Sequence, residues 1–337
     1  MGRYLSSLLF LSKKLSIGQQ ANGLLPNSPL PTSLGAGSTT AFQLIAFNEL
    51  FETAYFNSLL QNITDGVDGY QAENKDELVK IFTNIRAQEE EHALGAVSIL
   101  QSAKAFAPSA CQYQFPVTNL TEAVSLAETF TAIVLGALQG ANVLFAKDGE
   151  TAPIQLISFV IGQEGEQNGY YRIFMKGVPS ESPFLTATPA AFAWSALQMF
   201  IVPDSCPFPL SNIALPIFPP LMSNGGPTAA VAANDQAISF SADLSKSDAA
   251  KQYLGTNGAG LYLTYITGQQ LPVSVELSNV KWCDSEIQFE ANFPFSENLM
   301  YGLSLAALTT ANKFDTAEAV ANSTLAAPAI IQVSNMV

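Results

Sequence analysis

Four stretches between residues 42 and 174 repeat apolar side chains at alternating steps of three and four, the spacing of one helix face. The first stripe is Phe42, Ile45, Glu49, Glu52, Phe56 and Leu59, and the second is Leu78, Phe82, Ile85, Glu89, His92, Ala96 and Ile99. The third is Val124, Glu128, Thr131, Leu135 and Leu138, and the fourth is Ile157, Val160, Glu164, Gln167, Tyr171 and Phe174. Gly23 to Thr40 reads as an irregular lead-in, and breaks fall at Gln61 to Gly69, Pro108 to Pro116, Lys147-Asp148-Gly149 and Gly177-Val178-Pro179. Asn74 with acids in the following turn suits a helix start, as does Pro153. A further helix is predicted from Pro189 to Ile201. After Cys206 the texture changes. Pro207 to Pro227 is too rich in proline and glycine for regular helix. Beyond it, Ile238 to Ser241, Leu261 to Tyr265, Val273 to Leu277, Ile287 to Ala291 and Ile330 to Val333 alternate with period two, as strands do. The pattern predicts an α+β multidomain chain in three parts. Residues 1–39 form a lead-in, residues 40–206 an antiparallel four-helix bundle plus an extra helix, and residues 207–337 a small antiparallel β-sandwich.

The stripes carry an anomaly. Burying an unpaired carboxylate costs several kcal/mol or more, roughly, so acids on an apolar face are normally paired or metal-bound. Here every stripe holds one: Glu49 or Glu52, Glu89, Glu128 and Glu164. Two helices add a polar partner three residues on, in Glu89-x-x-His92 and Glu164-x-x-Gln167. Dimetal carboxylate sites in four-helix bundles are built this way, with carboxylates bridging two cations and imidazoles completing each shell. His92 is the one histidine in the sequence. A solitary histidine on an apolar face is more often a hydrogen-bonded core residue than a ligand, and its spacing from Glu89 favours the ligand role.

Composition narrows the functions. Acids outnumber bases 28 to 14, for a formal net charge of −14, so nucleic-acid binding through a basic stripe is not expected. Charged residues are only 12% of the chain and hydrophobic ones 48%, which fits large buried surfaces or a homo-oligomer. No transmembrane anchor is expected. Arg3 and the apolar stretch Tyr4 to Leu11 read as a short signal peptide, or as a segment docked on the protein or a partner. Sequons at Asn62, Asn119 and Asn322 lean towards a secreted, glycosylated chain in an extracellular or cell-wall setting. Three cysteines, Cys111, Cys206 and Cys283, allow one disulfide and one free thiol, or three thiols. No phosphate-cradling glycine loop or nucleophile elbow is present.

Residues 40 to 206 resemble the ferritin-like family that includes fungal late-sexual-development and stress-response proteins and plant desiccation-related proteins. The resemblance rests on Glu49-Leu50-Phe51-Glu52-Thr53-Ala54-Tyr55-Phe56, on Cys111-Gln112-Tyr113-Gln114-Phe115-Pro116, and on Glu128 in the third helix. It extends to Glu164 and Arg172 in the fourth helix, to Ser182-Pro183-Phe184, and to Phe200-Ile201 through Cys206-Pro207. The later β-rich region is similar to the C-terminal extension of fungal members. The resemblance implies a dimetal site of Glu49, Glu52, Glu89, His92, Glu128, Glu164 and Gln167, holding iron or manganese. It also implies a Cys111–Cys206 disulfide, with Cys283 free and buried in the sheet. Two positions depart from the family pattern. Gln167 stands where the fourth-helix histidine belongs, and Leu135 where the third helix usually has a tyrosine. A Gln amide is a weaker ligand than imidazole for these metals, so one half of the site is eroded.

Three functions follow as expectations. The first is a secreted structural or stress- and development-related protein with a degenerate dimetal site that binds one ion, two, or none. The second is a di-iron or di-manganese oxidoreductase acting on oxygen or peroxide. The third is a self-assembling surface or coat protein. The sequence names no small-molecule substrate.

Overall fold

The structure, a computed structural model, describes residues 14–334. The signal-like stretch Met1 to Ser12 lies outside the described residues. After residue 35 the helical region is built from α1 (Ala36–Asp65), α2 (Lys75–Ser102), α3 (Leu120–Asp148), α4 (Thr151–Phe174) and α5 (Ala190–Gln198). The chain divides into two compact units that interleave along the sequence. One comprises residues up to Leu126 with Val143–Val160 and Phe200–Ala214. The other comprises Ala127–Asn142, Ile161–Met199 and Leu215–Val337.

In the first unit α1 and α2 pack antiparallel. Phe56 stacks on Phe82 at 6.3 Å between ring centroids, while Glu49, two turns back along α1, meets His92, further along α2. The α1 face is buried along almost its whole length, from Ser38 to Ile63. The segment 111–116 packs its aromatic side chains onto α1. Phe51 lies edge-on to Tyr113 at 5.5 Å and to Phe115 at 5.8 Å, and Tyr55 lies edge-on to Phe115 at 4.9 Å. Such pairs contribute roughly 0.5–1.5 kcal/mol each beyond the area they bury. The Cys111–Cys206 disulfide ties this segment to the chain after α5, and an antiparallel bridge joins Tyr113 to Ile201. Before α1, residues 14–21 are helical and bury Ile17 and Ala21 against Ala87 of α2.

The second unit holds the β region, an eight-stranded sheet in the order β1-β3-β6-β5-β4-β7-β8-β2. Its strands are β1 (Met222–Ser223), β2 (Thr228–Ala230), β3 (Gln236–Asp243), β4 (Tyr262–Thr267), β5 (Val273–Cys283), β6 (Glu286–Phe293), β7 (Gly302–Thr309) and β8 (Thr324–Val333). Every pair is antiparallel except β2 with β8, which is parallel. The expected sandwich is therefore one mixed sheet. Its continuity runs through β5, whose first residues pair with β4 and whose last residues pair with β6. Ile238, Phe240 and Phe289 from one half share a buried core with Leu263, Tyr265, Leu308 and Ile331 from the other.

Candidate metal centre

The buried acids of the helices sort into two groups. In the first, Glu49 of α1 and Glu89 of α2 are fully buried, and His92 stands one turn beyond Glu89. His92 Nδ1 lies 3.0 Å from Glu89 Oε2 and 3.5 Å from Glu49 Oε2. Glu164 of α4 is also fully buried. Ligand atoms of Glu49, Glu89, His92 and Glu164 all lie within 4.8 Å of one another. Burial pushes the Glu49 carboxyl up to about 7, against the opposing pull of His92. Burial alone would lower His92. The Glu89 and Glu49 carboxylates outweigh it and hold the imidazole well above its ordinary value. Three carboxylates thus share a buried site with one imidazole, and burial is what keeps the Glu49 carboxyl protonated to higher pH. Three hard oxygen donors and one imidazole suit a divalent transition ion such as manganese or iron, so the donor set fits the metal that the fold implies.

The second group is closed by an arginine. Arg172 Nη2 lies 2.9 Å from Glu128 Oε1 and 3.0 Å from Glu181 Oε1. Gln332 Nε2 donates to Glu128 Oε1 at 3.4 Å and to Glu181 Oε2 at 3.2 Å. Burial, reinforced by the Glu181 charge, pushes Glu128 up to about 7, with Arg172 opposing. Burial raises Glu181 as well. Gly302, at φ +72°, lies so close to Glu181 that any Cβ there would collide with its carboxyl. Of the expected ligands, then, Glu128 is held in an ion pair instead of standing with the four clustered groups.

The remaining candidates are buried with local partners. Glu52 Oε1 accepts a hydrogen bond from Asn48 Nδ2 at 2.9 Å, and Gln167 Oε1 accepts from the Tyr171 hydroxyl at 3.3 Å. Cys111 and Cys206 are joined. Cys283 is free, but it is exposed where the resemblance implied burial. It ends β5, where alternate side chains turn to solvent. Among the sequons Asn322 is exposed, while Asn119 caps α3 by accepting from the Glu122 N–H at 2.9 Å. Sequence reading missed Glu181 and Gln332. Glu181 sits in the Ser-Glu-Ser-Pro turn, and Gln332 reads as an ordinary polar position of a strand.

Residues 39–176 match the ferritin-like domain family. The match covers less than half of the chain, and it spans α1 to α4 and every residue of the four-ligand cluster. The chain thus has a helical N-terminal ferritin-like domain followed by a β-sheet domain. No curated protein matches it. By length and composition α3 could cross a membrane, yet 61% of its apolar window is buried inside the protein. The disulfide points to an oxidising environment.

Proposed function

We propose that this protein is an extracytoplasmic metal-binding protein whose ferritin-like domain holds one divalent transition-metal ion. In this reading Glu49, Glu89, His92 and Glu164 are the ligands, and an ion pair replaces the second metal position. The observation that carries it is the contrast between the two buried groups. One set of four donors has an excess of negative charge, whereas Glu128 already has its cation in Arg172. A bound ion would supply Lewis acidity and, as iron or manganese, a one-electron couple. The chain supplies the rest. Glu49 and His92 release protons as the ion enters, and His92 keeps 16% exposure of its side chain while the three carboxylates are buried. Metal affinity is therefore expected to rise with pH through about 7, where Glu49 gives up its proton.

A two-ion oxidoreductase would need a further ligand set. Gln167 at the histidine position and Glu128 in the grip of Arg172 weigh against that reading. Secretion is supported by the disulfide and by the exposed Asn322 sequon. A role in stress protection or development is supported by the family resemblance of the helical region.

Metal analysis after loading with manganese or iron and desalting is the test. One ion per chain is expected for the native protein, and much less than one for Glu89→Ala and His92→Ala. Two ions per chain would overturn the single-site reading. An empty protein after loading at pH 8 would overturn metal binding altogether.

A further inference from the structure

Three large apolar side chains stand out in solvent on three neighbouring loops of the second unit: Phe184, 67% exposed, and Leu271 and Leu299, each 66% exposed. Single exposed apolar residues are ordinary, but a cluster of them calls for an explanation. The three loops are tied together. Gln269 Nε2 donates to the Leu185 carbonyl at 2.7 Å, and Gln270 Nε2 donates to the Asn298 carbonyl at 2.7 Å. The loop carrying Leu271 is thereby fixed to residues adjoining the other two apolar tips.

Leu299 adds an independent observation. It follows the single helical turn Phe295–Asn298 in the left-handed conformation, at φ 47° and ψ 55°. Glycine or asparagine normally takes such a helix-end position, and a bulky branched residue is strained there. Leucine at an exposed, strained position gives up stability, and the fold gains nothing visible from its burial. A requirement for an apolar surface explains the choice.

We propose that these three tips form a shallow insertion surface for an electrically neutral lipid bilayer. Two features select that partner. Two-thirds of three large side chains amounts to a few hundred Å², well short of the ~800 Å² per partner of a stable protein interface. The segments 177–189, 268–272 and 294–302 contain no lysine or arginine, and their acids are Glu181, which is paired with Arg172, and the exposed Glu297. With a net charge of −14 on the chain, attraction to anionic headgroups is not available, and apolar insertion is the term that remains. Pro183 and Pro272 flank Phe184 and Leu271 and restrict the loops that present them.

The test is flotation of the full-length protein with phosphatidylcholine vesicles. The native protein is expected to float with the lipid, with binding unaffected by salt. The triple variant Phe184→Ser, Leu271→Ser, Leu299→Asn is expected to bind roughly tenfold more weakly or worse. Leu299→Asn alone tests the strained position without endangering the fold; it should weaken flotation while melting at the native temperature or above. The proposal fails if the native protein stays out of the lipid fraction, or if the triple variant floats equally well. It also fails if binding needs anionic lipid and disappears with salt. A dimer in light scattering that the triple variant abolishes would overturn it in favour of a second copy of the chain. None of these outcomes depends on metal.

Discussion

Without the Arg172 guanidinium, Glu128 and Glu181 would be left buried with Gln332, and for Glu181 the Leu303 backbone N–H, as polar partners but no cation. Breaking a buried pair by deleting one partner typically costs ~3–5 kcal/mol, because the survivor's charge stays out of water. Arg172→Ala is expected to destabilise the protein by about that much in chemical denaturation, and Glu128→Gln by less. Glu128 also gives a pH signature. Its folded value, about 7, lies above its ordinary 4.5, so across that window the folded state holds a proton that the unfolded state has released. Its contribution to stability is greatest below 4.5 and falls as pH rises towards 7. In metal-free protein, Glu128→Gln should flatten that fall in melting temperature relative to the native chain. At this scale the sequence was legible only in part. Glu89 and Glu128 both sit in an apolar helix stripe and are both buried, so spacing marks them alike. What separates them is Arg172 and Glu181: Arg172, in the last turn of α4, bridges Glu128 of α3 to Glu181, which sits in a turn that carries no periodic signal.

The elements follow local rules closely enough to be tested one at a time. Asn119 caps α3 through its side-chain oxygen, so Asn119→Ala should cost ~1 kcal/mol. Asn119→Asp removes the sequon yet keeps the acceptor, and should cost little; thermal melts of the two variants made without glycosylation check this. The helices were readable because their apolar stripes repeat for several turns. The strands β3 and β6 were readable because burial alternates along them. β7 was not, since all eight of its residues are buried and Gly302 to Thr309 shows no polar face. β8 was seen only from Ile330 on. Its first half contains Pro328, and its pairing with β7 shifts register between Ala306 and Leu308, which breaks the alternation a strand is recognised by.

For the molecule as a whole, the Cys111–Cys206 disulfide is the longest covalent constraint, with a sequence separation of 95 residues that encloses α3, α4 and α5. Closing a loop of that length stabilises by up to about 4–5 kcal/mol in the chain-entropy account. Reduction with dithiothreitol should therefore lower the denaturant midpoint substantially, and Cys283, being exposed, should react with a thiol reagent in the native protein while the other two do not. The partition between helical and β-rich halves was visible in composition. The interleaving of the two compact units was not, because residues of both α3 and α4 are divided between them with no change in the sequence pattern. Arg172 also separates two kinds of dependence on the surroundings. A metal site is filled only when the ion is supplied, and a chelator can empty it. A guanidinium is installed at translation and cannot be exchanged, oxidised or withheld. The Glu128 half of the helical region therefore acquires its cation with the polypeptide itself, and its integrity is independent of metal supply.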